Sequence, residues 1–266
     1  MTVARIERCL ARCRSEGRPA LVIYLTIGDP SVEDSLACAR AALAAGADVL
    51  ELGVPFSDPS ADGPVIAAAS HRAIASGGSL ARALDVAAEL RRESDAPLVL
   101  FSYVNPVLAA GEAALPTRAI AAGVDGLLVV DLPPEEGQRL RAAADAAELA
   151  IIPLVAPTTS EARQLEVARG ARGFLYYVSV AGVTGSADAP LARAAQSAAA
   201  LAARVGLPVV VGFGIDTPDK ARQVASAGVD GVVVGSAVVA AIAAAGDRAG
   251  RVAAVTKLVS ALRAAL

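Results

Sequence analysis

An ionisable residue inside an apolar run is the first place in this chain where chemistry could reside. Glu51 stands in Val49-Leu50-Glu51-Leu52, a run that reads as a buried strand. Burying a lone carboxylate is costly, so it must either be paired or be useful. Two readings stand: a structural ion pair or hydrogen bond, or a group whose burial tunes it for catalysis. Arginine is scarce on the predicted strands, which favours the catalytic reading. Asp62 ends the shaped segment Pro55-Phe56-Ser57-Asp58-Pro59-Ser60-Ala61-Asp62, just before Gly63-Pro64. Asp before Gly-Pro is also a good helix start, so capping and catalysis stand level there. Asp131, before Leu132-Pro133-Pro134, has the same ambiguity and leans towards structure.

Other polar residues fall at the ends of predicted strands: Thr26 and Asp29, Tyr103 and Asn105, Thr158, Tyr176, Ser179 and Thr184. Gly212-Phe213-Gly214 and Gly235-Ser236 close two successive strands. Glycine lets backbone N–H groups approach a phosphate, and a helix starting there adds its dipole. Plain turn glycine is the alternative. Gly182-Val183-Thr184-Gly185 is a candidate for a loop that closes over a ligand. What is missing narrows the chemistry further. The two lysines, Lys220 and Lys257, lie in predicted helices away from any strand end, which argues against a Schiff base. His71 is the single histidine, so no His-rich zinc site and no Ser-His or Cys-His nucleophile can be assembled. Carboxylates and tyrosines remain.

These residues need a scaffold, and a repeat supplies it. Ala-Gly-Ala-Asp-Val-Leu-Glu-Leu at 45–52, Ala-Gly-Val-Asp-Gly-Leu-Leu-Val at 122–129 and Ala-Gly-Val-Asp-Gly-Val-Val-Val at 227–234 each follow an Ala-rich helical pattern. The glycines Gly46, Gly123 and Gly228 stand where a helix ends in a left-handed residue, and a short β-branched strand follows. Strands are predicted near 20–26, 48–52, 98–103, 126–130, 150–155, 173–179, 208–212 and 231–235, with an extra helix near 2–16. Eight strand–helix units with right-handed crossovers close most naturally into a (β/α)8 TIM barrel, here one domain over residues 1–266. A doubly wound sheet is less favoured because no G-x-G-x-x-G follows the first strand. In a barrel the active site lies at the C-terminal strand ends, where the residues above gather.

Composition agrees. Hydrophobic residues make up 55% and aromatics 3%, so the core must be built from Ala, Val, Leu and Ile, as for parallel strands buried on both faces. A net charge of −3 leaves no electrostatic footprint for nucleic acid or an anionic membrane. Cys9, Cys13 and Cys38 have no metal spacing and read as small buried hydrophobes of a reducing cytoplasm. The charged first residues lack a signal-peptide core, and the apolar stretch 229–246 is broken by Gly231, Gly235 and Ser236, so a soluble protein is expected.

The motifs also carry a resemblance. Glu51-Leu-Gly-Val-Pro-Phe-Ser-Asp-Pro-Ser-Ala-Asp62-Gly-Pro resembles the signature of the tryptophan synthase α chains. The likeness continues in order through Tyr24-Leu-Thr-Ile-Gly-Asp-Pro30, Tyr103-Val-Asn-Pro, Asp131-Leu-Pro, Tyr176 ahead of Gly182-Val-Thr-Gly185, Gly212-Phe-Gly-Ile and Gly235-Ser236. It implies retro-aldol cleavage of indole-3-glycerol phosphate to indole and glyceraldehyde 3-phosphate, with no Schiff base or metal. By the same resemblance Glu51 is the general acid/base, Asp62 accepts from the indole N–H, and Tyr176 supports Glu51. Thr184 steadies Asp62 on closure. Gly185, Phe213, Gly214, Gly235 and Ser236 hold the phosphate, and Tyr24, Phe101, Tyr103 and Leu128 line the indole pocket. The implied partner is a β chain in an αββα complex; pyridoxal phosphate belongs to that chain and no cofactor to this one.

Three features depart from the family pattern. No arginine follows Gly185 until Arg193, Val130 replaces a smaller residue and Phe101 an aliphatic one, and the last two narrow the implied indole pocket. The competing readings are a stand-alone indole-glycerol-phosphate lyase, another phosphate-binding barrel such as a sugar-phosphate isomerase, and a non-catalytic subunit that activates a partner.

Overall fold

Strands buried on both faces must satisfy two different neighbours, and the alternation along each strand shows how this is done. On the first strand Ala20, Val22 and Tyr24 face inward, while Leu21, Ile23 and Leu25 face the surrounding helices. The computed structural model describes residues 3–178, 188–212 and 214–266. Its strands are Ala20–Thr26 (β1), Val49–Gly53 (β2), Leu98–Ser102 (β3), Gly126–Val129 (β4), Ala150–Ile151 (β5), Leu154–Val155 (β6), Leu175–Val178 (β7), Val209–Gly212 (β8) and Gly231–Val234 (β9). All pairings are parallel, in the order β5-β4-β3-β2-β1-β9-β8-β7-β6.

The predicted strand at 150–155 is two pieces, β5 and β6, parted at Pro153, which has no N–H to give to a ladder. The segment still joins both neighbours. Ile152 N–H donates to the Leu127 carbonyl on β4, and Tyr176 N–H of β7 donates to the Pro153 carbonyl. The ring is therefore completed through one strand, and the fold is a TIM barrel. The other boundaries shift by a residue or two from those expected. Between β9 and the end of the stretch 229–246 lies the helix Ser236–Ala244, and among the described residues no helix is long and apolar enough to cross a membrane.

The three-fold repeat is a structural device. Gly46, Gly123 and Gly228 have φ of 105°, 84° and 81°, the left-handed helix ends that let the chain turn into the next strand. The aspartate two residues on reaches back to the strand before. Asp48, Asp125 and Asp230 accept from the N–H groups of Leu21, Leu98 and Val209, each at 2.9 Å. The helix Val3–Ser15 then supplies a counter-charge to each: Arg12 to Asp48 at 3.1 Å, Arg5 to Asp125 at 2.8 Å and Arg14 to Asp230 at 2.6 Å. Its apolar side, with Ile6, Cys9, Leu10 and Cys13, joins the barrel interior and plugs the bottom. Among the described residues, the opposite, C-terminal end of the barrel stays open.

Candidate active site

At that open end lies a cavity of about 560 Å³. Tyr24, Glu51, Phe101 and Tyr176 enter its wall from β1, β2, β3 and β7, and Asp62 enters from the loop after β2. Gly214, Gly235 and Ser236 close the side beyond the C-terminal ends of β8 and β9. Val130, expected to narrow the pocket, is in the apolar lining, together with Ile66, Leu154, Val178 and Val233, which the sequence does not single out. Strand parity could have found most of them. Val178 shares a face with Tyr176, and Val233 shares one with Gly235.

Glu51 is fully buried, and neither carboxylate oxygen has a hydrogen-bond partner among the described residues. The structural ion pair weighed for it is absent there. Burial alone pushes its pKa up to about 8, so the group carries its proton at neutral pH. Its cross-strand partner on β1 is Tyr24. Both tyrosines of the wall lean over glycines on the next strand. A Cβ on Gly53 would lie 2.3 Å from the Tyr24 hydroxyl, and one on Gly212 would lie 1.9 Å from that of Tyr176. Beside the phosphate approach expected of Gly212, its place next to Tyr176 gives it a packing reason to lack a side chain. Burial raises both phenols, so they stay protonated. Tyr24 also meets Phe101 edge-on, with centroids 5.2 Å apart.

Asp62 does not cap the helix that follows. That helix, Pro64–Ala75, starts from Gly63 with no side-chain cap. The Asp62 carboxylate instead accepts from the Tyr103 hydroxyl at 3.0 Å. Burial raises its pKa to about 6 while the Tyr103 bond works the other way. Tyr103 and Leu128, both expected to line the indole pocket, are not in the cavity wall. Tyr103 stands behind Asp62, and Leu128 is fully buried as the cross-strand partner of Phe101. Val130, on the same face of the chain as Leu128, reaches the cavity in its place. Thr184, Gly185 and Phe213 lie outside the described residues, as does Ser179.

The anion corner is simpler. The helix Ser236–Ala244 begins at Gly235 without a side-chain cap, so among the described residues no capping side chain takes its first N–H groups. Gly214 has φ +77°, a left-handed turn that suits glycine.

Other candidates resolve as structure. Asp131 accepts from the Val104 N–H at 2.7 Å and so fixes the start of the helix Val104–Ala110. Asp29 forms a two-bond pair with Arg72, and exposed His71 bonds the Ser57 carbonyl. Lys220 pairs with Asp216. Cys9, Cys13 and Asp48 place ligand atoms within 4.8 Å of one another, a grouping the sequence spacing did not suggest. Asp48 is already saturated by Arg12, Arg18, Arg263 and the Leu21 N–H, and three guanidinium groups repel a cation there.

A barrel with one proton-loaded carboxylate and a second, more acidic one facing a mostly apolar chamber, and an uncapped helix start opposite, is built as an enzyme that moves protons on an anionic, largely apolar substrate. Comparison with known proteins narrows this class. A family model described as tryptophan synthase alpha chain matches residues 10–266. A tryptophan synthase alpha chain from Geobacter sulfurreducens is 48% identical over 237 residues, 89% of each chain. One from Laribacter hongkongensis is 49% identical over 246 residues, covering 92% of this chain and 93% of that one. Among solved structures, tryptophan synthase subunit alpha of Legionella pneumophila superposes with a TM-score of 0.89 at 36% identity, over 98% of this chain and 97% of that chain. A chain of tryptophan synthase from Mycobacterium tuberculosis gives 0.87 at 33% identity, over 98% and 97%. The chain belongs to the tryptophan synthase alpha chain family, and the reading as a sugar-phosphate isomerase is set aside.

Proposed function

We propose that this family's lyase reaction, cleavage of indole-3-glycerol phosphate to indole and glyceraldehyde 3-phosphate, takes place in the cavity above Glu51, with Glu51 and Asp62 as its two working carboxylates. The observation that carries the assignment is the unpartnered, fully buried Glu51 carboxyl in the wall of a cavity large enough for a drug-sized ligand.

The protonation states set an order of events. Glu51 starts as the acid and gives its proton to indole C3, which turns the ring into an indolenine cation. As a carboxylate it then takes the proton of the hydroxyl on the chain carbon bonded to C3. That oxygen becomes the aldehyde carbonyl, the C3–carbon bond breaks, and its electron pair restores the aromatic ring. Glu51 ends protonated, as it began, and one carboxyl serves both steps because the two reacting atoms sit on neighbouring carbons. Ionised Asp62 accepts from the ring N–H and stabilises the positive charge that develops there. Tyr176 supports Glu51, while Tyr24 and Phe101 flank the ring. Ser236, Gly235 and Gly214 hold the phosphate at the helix start. Thr184, Gly185 and Phe213 keep their family roles in this proposal, with Thr184 steadying Asp62 and the other two on the phosphate.

Residues 1–266 act as one domain in this reading, in the cytoplasm, with a tryptophan synthase β chain as partner in an αββα complex. Pyridoxal phosphate belongs to the β chain, since no step above asks for a cofactor here. A stand-alone lyase would use the same residues and is told apart by indifference to a β chain. A non-catalytic subunit is disfavoured, because such a barrel has no use for a buried orphan carboxyl. Glu51→Gln keeps shape and removes the transferable proton. Indole release should fall by about a hundredfold to ten-thousandfold while glyceraldehyde 3-phosphate still binds. A Glu51→Gln protein that releases indole at the normal rate would falsify the assignment.

A further inference from the structure

Resting on the assignment of Asp62 above, we propose that Tyr103 is a positioning residue for the reaction: its hydroxyl holds the Asp62 carboxylate in place as the acceptor for the substrate's ring N–H. Tyr103 follows β3, and its hydroxyl stands behind Asp62 rather than in the cavity wall, so it acts through Asp62. Its backbone is a fixed post. The Ser102 hydroxyl donates to the Tyr103 carbonyl at 2.9 Å, and Asp131 takes the next N–H, that of Val104, at 2.7 Å. The residue is 3% exposed.

Three points of the loop after β2 are strapped to this post. The Phe56 ring lies 5.1 Å from the Tyr103 ring, the Ala61 N–H donates to the Tyr103 hydroxyl at 2.9 Å, and that hydroxyl donates to Asp62 Oδ2 at 3.0 Å. The hydroxyl thus accepts and donates at once, and its two partners are consecutive residues. An exposed loop rich in proline and glycine gains in this way a defined direction for its one functional carboxylate.

The bond also bears on when Asp62 is ionised. Burial raises its pKa to about 6, and the Tyr103 hydroxyl, donating to the charged form, is what opposes the rise. Tyr103 remains a phenol throughout, because burial and the Asp62 charge raise it. Among the described residues, the other titratable groups facing Asp62 are the phenols of Tyr24 from β1 and Tyr176 from β7, with Glu51 from β2 in the same cavity. Asp58 on its own loop and His71 on the next helix are exposed, and Asp131 acts on the Tyr103 phenol. Ionised Asp62 is the working form, so losing the Tyr103 hydroxyl moves the acid limb of kcat/KM to higher pH.

The test compares the wild type with Tyr103→Phe, which keeps the ring on Phe56, and with Phe56→Leu, which keeps the hydroxyl. Asp62 is titrated by carboxyl-carbon NMR in the substrate-free protein, its signal assigned by loss in Asp62→Asn, and kcat/KM for indole release is measured across pH. Tyr103→Phe should raise the Asp62 midpoint by roughly one unit, with kcat/KM lowered at every pH by the lost orientation and about tenfold further on the acid side. Phe56→Leu should leave the midpoint in place. An unmoved midpoint in Tyr103→Phe, a loss uniform across pH, or an equal shift in Phe56→Leu would each overturn the proposal. A wild type that releases no indole would instead sink the reaction assigned above, and the NMR titration would still decide the role of Tyr103.

Discussion

Replacing Glu51 with Gln should make the protein more stable, by an amount that depends on pH. The buried carboxyl has a pKa near 8 in the folded chain against the ordinary 4.5, so the folded state holds a proton that the unfolded state gives up over that interval. An acid with a raised folded pKa opposes folding increasingly as pH climbs from 4.5 towards 8, and costs nothing well below 4.5. At pH 7 the folded protein keeps a proton that an exposed carboxyl would have lost, at a cost of about 3 kcal/mol. At pH 5 the cost is under about 1 kcal/mol. Full burial, with no hydrogen-bond partner among the described residues, means that solvent screening takes little from these values. The glutamine side chain has the shape of the protonated acid and does not ionise, so any cost of its unpaired amide is the same at both pH values. The gap in unfolding free energy between variant and wild type should therefore widen by roughly 2–3 kcal/mol from pH 5 to pH 7. Urea unfolding at the two pH values measures it, with midpoint and slope fitted separately. A gap that stays constant would refute the reasoning, because Glu51 would then titrate like an exposed carboxyl.

Two further outcomes follow from the same geometry. The kcat/KM profile for indole release should be bell-shaped, rising as Asp62 ionises near pH 6 and falling as Glu51 loses its starting proton near pH 8. A flat profile from one side of these two values to the other would contradict the assigned protonation states. At the other end of the barrel, Asp125→Asn leaves Arg5 and Arg91 facing a neutral, fully buried partner, and should cost about 3 kcal/mol by denaturation without changing KM. A loss below about 1 kcal/mol would show that the repeat's aspartates are not what tethers the first helix.

Much of the scaffold was legible because it is written in local rules. The left-handed glycines at 46, 123 and 228 and the β-branched runs after them act over a few residues, and the structure keeps them. Glu51 stood out because an acid in an apolar strand breaks the pattern of its own neighbours. What stayed hidden depends on partners far along the chain. For Asp62, helix capping stood level with catalysis because Gly63-Pro64 is adjacent, while the group it bonds, Tyr103, is 41 residues away. The repeated aspartates looked like part of a turn phrase, yet their role emerges only when the first helix folds beneath the barrel. The split of 150–155 at Pro153 was readable in principle, since proline cannot feed a ladder. The closure through Ile152 and Pro153 was not, because it needs β4 and β7, which lie far to either side in the chain. Leu128 and Val130 share one strand face, and depth along the barrel, which spacing alone does not give, decides which of them meets the cavity.

Whether two carboxylates in this barrel cleave indole-3-glycerol phosphate is tested most directly by indole release from the purified chain, measured alone and with a tryptophan synthase β chain added. The expected result is metal-independent release that the β chain accelerates sharply. No indole under either condition would contradict the substrate and the roles given to Glu51 and Asp62.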